Sequence, residues 1–170
     1  MISQVGLYRK IDTDFWDDEK VVEDFTKEDI LVFIHLLSSD KSNLCGCYKI
    51  TIKTISRKTK CTMEEVKKSL DHLSELAIIR YDTKTQEVLL LNYYRHSWTQ
   101  SPKFRKGLEN ELEEVKTESF KEYIQNRLMG LKTRVDTKKN NAKPGSFNDF
   151  KQNEYDFNKM EKEIVVNDKE

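Results

Sequence analysis

Cysteine and histidine crowd one stretch of this 170-residue chain, CGCYKITIKTISRKTKCTMEEVKKSLDHL (residues 45–73). Within it Cys45, Cys47, Cys61 and His72 are the groups able to hold a transition metal. Structural zinc takes four such ligands, commonly as two C-x2–4-C or H-x3–5-H pairs. Cys45 and Cys47 have a single residue between them and no second pair follows, so no metal site and no cofactor is expected. Cys61 stands where the turn of a helix-turn-helix takes a small apolar residue, and His72 falls on the polar face of a predicted helix. Three cysteines, an odd number, suit a reducing compartment better than a disulfide framework. Catalytic patterns are missing as well: no G-x-S-x-G elbow, no phosphate-cradling Gly-rich loop and no H-E-x-x-H, with only five glycines in the chain. No enzyme is expected.

The same stretch is rich in positive charge. Thirty basic and thirty acidic residues cancel over the whole chain, so their distribution is what informs. Residues 49–68 carry Lys49, Lys53, Arg57, Lys58, Lys60, Lys67 and Lys68 against Glu64 and Glu65. Residues 12–29 carry nine acids against Lys20 and Lys27. A neutral chain with one sharply basic segment can still present a phosphate-facing surface; the plain alternative is a solvated helix face.

The elements that must position these charges each have a local signal. Thr26 is a plausible N-cap for a helix in which Ile30, Phe33, Ile34 and Leu37 recur at helical spacing. Gly46 marks a turn before a short strand containing Tyr48 and Ile50. Thr51 caps a second helix, with Ile52 and Ile55 inward and Lys53, Arg57 and Lys58 outward. The pattern breaks at Lys60-Cys61, and Thr62 with Glu65 forms a capping box for a third helix with an apolar stripe of Met63, Val66, Leu70, Leu73 and Ala77. Ile78 to Tyr81 and Val88 to Leu91 flank the polar turn Asp82 to Glu87 as a hairpin. Helix, short strand, helix, turn, helix, hairpin is the order of a winged helix-turn-helix. In that arrangement the third helix enters the major groove while the second helix and the wing meet the backbone. Lys53, Arg57 and Lys58, with Lys60 beside them, would then meet phosphate; Lys67, Lys68 and His72 would reach into the groove; Arg80 and Lys84 would serve the wing. Glu64, Glu65, Asp71 and Glu75 share the third helix and oppose that role.

Past Pro102 two further apolar stripes predict helices, Phe104, Leu108, Leu112 and Val115, then Phe120, Ile124 and Leu128, with a break near Thr117-Glu118-Ser119. Residues 132–146, rich in Lys and Asn and containing Pro144-Gly145, read as a flexible linker. The tail 147–170 is dense in aromatics, and Phe147, Phe150, Tyr155, Phe157 and Met160 are candidate partner-docking residues. The expected fold class is therefore mainly α with a small β-hairpin: a winged helix-turn-helix with an N-terminal arm (1–100), a helical extension (101–131), the linker and the docking tail. Hydrophobic residues make up 36% and charged residues 35% of the chain, and no apolar run approaches the roughly 20 residues a membrane span needs. A cytoplasmic protein without a membrane partner is expected.

The stretches YRKIDTDFWDDEKV, DILVFIHLLSSD, CGCYKITIKTISRKTKCTMEEVKKSLDHLSELAIIRYD and VLLLNYYRH, the last followed by SPK and a charged helix, together resemble the N-terminal domain of DnaD-like replication proteins and phage replisome organisers of Gram-positive bacteria. The resemblance runs from Tyr8 to about Arg127 and rests on Phe15-Trp16-Asp17-Asp18, Gly46-Tyr48-Ile50 and Val88 to Tyr93. FNDFKQNEYDFNKMEKEI is similar to the ending of many such phage proteins, departing from it at Asp149 and Asn153. The Y-x-x-x-I-x-x-W signature of that family's second, DNA-binding domain has no counterpart. The resemblance implies homo-oligomerisation, binding to origin or single-stranded DNA, and recruitment of a helicase loader or replicative helicase in the cytoplasm of a bacterial host cell. Two other readings stay open: a winged-helix transcriptional regulator, and a protein-binding scaffold without DNA contact whose basic segment meets acidic partners.

Overall fold

The computed structural model describes Arg9, residues 11–91, Tyr93 and residues 102–135, with side chains throughout except at 102–105 and 128–135. A 3-10 turn, Thr13–Asp17, and helix α1, Glu19–Glu23, form an N-terminal arm. Helix α2 (Lys27–Ser38), strand β1 (Cys47–Lys49), α3 (Ile52–Thr59), α4 (Met63–Glu75), β2 (Ile79–Asp82) and β3 (Glu87–Leu90) follow, then α5 (Pro102–Glu114) and α6 (Glu118–Val135). Among the described residues this is a mainly helical fold with one three-stranded antiparallel sheet in the order β1-β3-β2. The first strand thus joins the expected hairpin, and α6 continues to Val135, four residues past the expected end of the helical extension.

Local chemistry sets the helix boundaries. Thr26 Oγ1 accepts from the Asp29 amide at 3.2 Å while Asp29 accepts from the Thr26 amide at 2.8 Å, a reciprocal capping box. Thr62 and Glu65 repeat it at 3.2 and 2.7 Å. Thr51 caps α3 through the Thr54 amide at 3.1 Å. Such caps contribute about 1 kcal/mol each. α3 ends on Lys60, whose φ of 66° is left-handed, and Thr62 begins the next cap, so only Lys60, Cys61 and Thr62 separate the helices. Cys61 is buried there and its carbonyl accepts from Ser56 Oγ at 2.7 Å.

The first core gathers Val32, Phe33 and Leu36 of α2, Ile55 of α3, Val66, Leu70 and Leu73 of α4, and Tyr48, Ile79, Val88 and Leu90 of the sheet. Phe15 and Val21 pin the arm to it. Three expectations need correction. The buried face of α2 centres on Val32, Phe33 and Leu36, while Ile30, Ile34 and Leu37 lie at its margin, because the run ILVFIHLL offers more than one apolar stripe. Met63, the first residue of α4, faces solvent at 53% exposure, because the core side of the helix begins one turn later at Val66. Ala77 lies beyond the helix with φ 55° and belongs to a second core.

That second core occupies the other sheet face. Alternation along a strand sends neighbouring side chains to opposite faces, so Tyr48 and Val88 point to the first core while Cys47 and Leu89 point away. There Cys45, Cys47, Ala77, Leu89 and Leu91 meet Leu108, Leu112 and Val115 of the α5 segment and Phe120, Tyr123 and Ile124 of α6. The cysteine pair is thus the floor of a helix-packing face, and α5–α6 form a third layer rather than an appendage. At Gly46 the backbone passes close to the Tyr93 side chain: its φ is 69°, and a Cβ there would stand 2.6 Å from Tyr93 Cβ.

Glu87 ties this layer down. Its buried carboxylate accepts from the amides of Lys116 (2.9 Å) and Thr117 (2.8 Å) and from Thr117 Oγ1 (2.7 Å), at the turn between α5 and α6. Thr85 in the hairpin loop completes the clasp at 2.6 Å from Thr117 Oγ1. Burial of six apolar side chains at about 1.5–3 kcal/mol each supplies the adhesion, and the clasp sets the register. Glu87→Ala strands buried amides and should cost about 1–3 kcal/mol in urea unfolding. Amide exchange at Lys116 and Thr117 should accelerate with it; unchanged protection of those two amides would show that the clasp holds nothing.

Candidate nucleic-acid interface

Ile55 inserts fully into the core and turns the opposite side of α3 to solvent. Lys53, Arg57 and Lys60 follow one another at i, i+4 and i+7 on that side, and all three are exposed, as is Lys58. None of the four has an ion-pair partner among the described residues. Arg57 and Lys58 also complement the negative end of the helix dipole in the last turn. An uncompensated row of four cations on one short helix, ended by a left-handed turn, suits a phosphate backbone.

The exposed face of α4 is different. Lys67 and Lys68 are solvent-facing, but Glu64, Glu65 and Asp71 lie one turn before or after them. Carboxylates at i±3 and i±4 offset each base locally. Glu65 also occupies the helix N-terminus, where its bonds to the Thr62 amide and hydroxyl hold its pKa below the ordinary carboxylate value. A site that would otherwise attract phosphate is filled by the chain's own anion.

Two predicted contacts turn inward. His72 Nδ1 lies 2.8 Å from Asp29 Oδ2, a hydrogen-bond contact that bridges α4 to the capped start of α2. Asp29 is 1% exposed; burial opposes its charge, but bonds from Thr26, His72 and Ser69 hold its pKa below the ordinary value. Arg80 donates to the carbonyl oxygens of Ser74 and Ile79, at the carbonyl end of α4. Of the predicted wing residues only Lys84 is exposed, on a loop shaped by Asp82 accepting from the Lys84 and Thr85 amides at 2.7 and 3.2 Å. The structure therefore gathers Lys53, Arg57, Lys58 and Lys60 on one surface, leaves Lys67, Lys68 and Lys84 exposed elsewhere, and bonds the half-buried His72 and Arg80 to groups of the chain itself. The predicted docking residues Phe147, Phe150, Tyr155, Phe157 and Met160 lie outside the described residues.

The sequence reading missed several polar contacts. Glu111 accepts from the Cys45 amide at 3.0 Å, and burial raises its pKa. Burial likewise pushes the Cys45 thiol up to about 12 and raises that of Cys47, so neither is a thiolate at neutral pH. Among the described residues no group of three or more His, Cys, Asp or Glu side chains is placed to hold a metal ion, and no helix is long and apolar enough to cross a membrane. His35, half-buried on α2, has Nε2 shielded without a described hydrogen-bond partner. Burial, and secondarily Lys58, lowers its pKa, with Asp40 opposing. None of these contacts has a local sequence signal, because each joins positions distant in the chain or depends on burial.

Comparison with protein-family models, with curated proteins and with solved structures returned no match.

The lowered His35 value makes stability depend on pH. The unfolded chain takes up this proton at about 6.5 and the folded chain only at lower pH. The contribution is therefore intact above 6.5 and is lost as pH falls below it, because protons then favour the unfolded state. Urea midpoints measured from about pH 7.5 to 5, bracketing the ordinary histidine value, should decline for the wild type. They should decline less for His35→Gln; parallel curves would remove His35 as the cause.

Proposed function

We propose that this chain is a winged helix-turn-helix replication protein of the DnaD-like, phage replisome-organiser type, which binds DNA phosphates through α3 and assembles with further copies and with helicase-loading machinery. The element order α2-β1-α3-α4-β2-β3, the sheet order β1-β3-β2 and the tight Lys60–Thr62 turn support the winged-helix assignment. The observation that carries the DNA reading is the exposed row Lys53, Arg57, Lys58 and Lys60, unpaired among the described residues. The acid-flanked α4 and the clasp that binds the hairpin loop to the α5–α6 turn favour backbone contact over base reading. They weigh against an operator-reading regulator. They also keep a second reading in view, a protein scaffold whose cations meet anionic protein surfaces.

Mobility shifts on duplex and single-stranded DNA distinguish these. Duplex binding should weaken with salt at a log–log slope near −0.9 per phosphate neutralised. Lys53→Gln, Arg57→Gln and Lys58→Gln together should flatten that slope by about 0.9 for each cation that meets phosphate. Lys67→Gln with Lys68→Gln should flatten it less. Absence of binding to either DNA at low salt would exclude direct contact and leave the scaffold reading.

A further inference from the structure

The basic row on α3 and the acidic arm before α2 are oppositely charged surfaces, and among the described residues no ion pair joins them. Asp12 and Asp18 in the arm are spent on their own backbone, capping the Asp14 and Lys20 amides at 3.2 and 3.0 Å. Asp14, Asp17, Glu19, Glu23 and Asp24 remain exposed, without an ion-pair partner among the described residues. The arm cannot fold over onto its own α3 without leaving the core. Phe15 and Val21 are 3% and 4% exposed, Phe15 packs on Phe33 at 6.1 Å between ring centres, and Lys20 Nζ donates to the Leu76 carbonyl at 3.2 Å.

The arm also carries the two most exposed large apolar side chains among the described residues, Val22 at 65% and Trp16 at 57%. Trp16 stands edge-on to Phe15 at 5.1 Å, an anchored ring with a free surface. An indole face is the preferred seat for a guanidinium or for lysine methylenes. The basic row offers both, in Arg57 and in Lys53 and Lys58. Exposed apolar groups rimmed by charge mark an interaction surface, and the complementary charges are found on the same chain.

We propose that the acidic arm of one copy seats on the basic row of a second copy, covering the surface that would otherwise meet DNA phosphate. The contact joins two different patches, so it is heterologous and propagates head to tail into a ring or an open chain. DNA and the neighbour's arm then compete for Lys53, Arg57 and Lys58. The competition rests on the phosphate-binding reading of α3; the docking of arm on row does not.

Sedimentation velocity on the full chain tests the docking at about 0.01 M and about 1 M salt, where the Debye length is about 30 and 3 Å. The wild type should be larger than a monomer at low salt and dissociate at high salt. A row variant (K53Q, R57Q, K58Q) and an arm variant (D14N, D17N, E23Q, with both caps intact) should each associate at least tenfold more weakly. Mixed, they should form a one-to-one pair that does not grow, since one intact arm meets one intact row. Unaltered circular dichroism would show that both still fold. A monomeric wild type at low salt, variants that associate as the wild type does, or a mixture that forms no pair overturns the docking.

Binding to a labelled duplex tests the competition. The arm variant should bind several-fold more tightly than the wild type where the wild type is associated, and equally where dilution has dissociated it. A gain that persists on dilution, or no gain at either concentration, overturns the competition. If neither protein binds DNA while the mixed pair still forms, the phosphate reading of α3 fails and the docking stands.

Discussion

Between Glu87 and Leu90 every side chain is buried, Val88 and Leu90 in the core formed with α2, α3 and α4 and Leu89 in the core formed with α5 and α6. Glu87 turns to the same outer side as Leu89 and binds the α5–α6 turn. A strand of four residues with no wet face must be covered twice, so the layer of α5 and α6 is obligatory once β3 pairs with both β1 and β2. Removing that layer would expose Cys47, Leu89 and Leu91 together, a patch that a monomer does not leave in water. The burial of Ala77 and of the cysteine pair belongs to the same layer.

The charges obey a second economy. Buried carboxylates are bonded: Asp29 by Thr26 and His72, and Glu87 by two amides and a hydroxyl. Such groups would be costly if left bare, and their partners explain why they are tolerated. The surface charges are left uncompensated in two separate places, the arm and α3. Segregation of this kind does little for the stability of a monomer, because exposed ion pairs are weak. Its physical effect is on the long-range field, which differs in sign between the two places.

Much of the candidate site was legible because its signals are local. The cations of α3 follow from helical spacing once Ile55 is recognised as inward-facing, and the caps at Thr26, Thr51 and Thr62 are short-range hydrogen bonds. The bonds of His72 and Arg80 were not legible, for the opposite reason. A histidine on a polar helix face and an arginine on a hairpin look solvent-directed until Asp29 and the carbonyl end of α4 arrive from elsewhere in the chain. The continuous run VLLL at 88–91 already departs from the alternation of a half-wet strand, and it was the available sign that the sheet is covered on both sides.

By itself the sequence determined the elements from α2 onward, their order and the turn between α3 and α4, because periodicity and capping operate within a few residues. Tertiary structure alone decided which stripe of α2 is buried, that Met63 is not, that the cysteines floor a second core, and that the hairpin loop is clasped to the α5–α6 turn. These depend on contacts between positions far apart in the chain, such as Cys45 and Glu111, 66 residues away. Local composition does not encode such pairings; they exist only once apolar burial has brought the layers together.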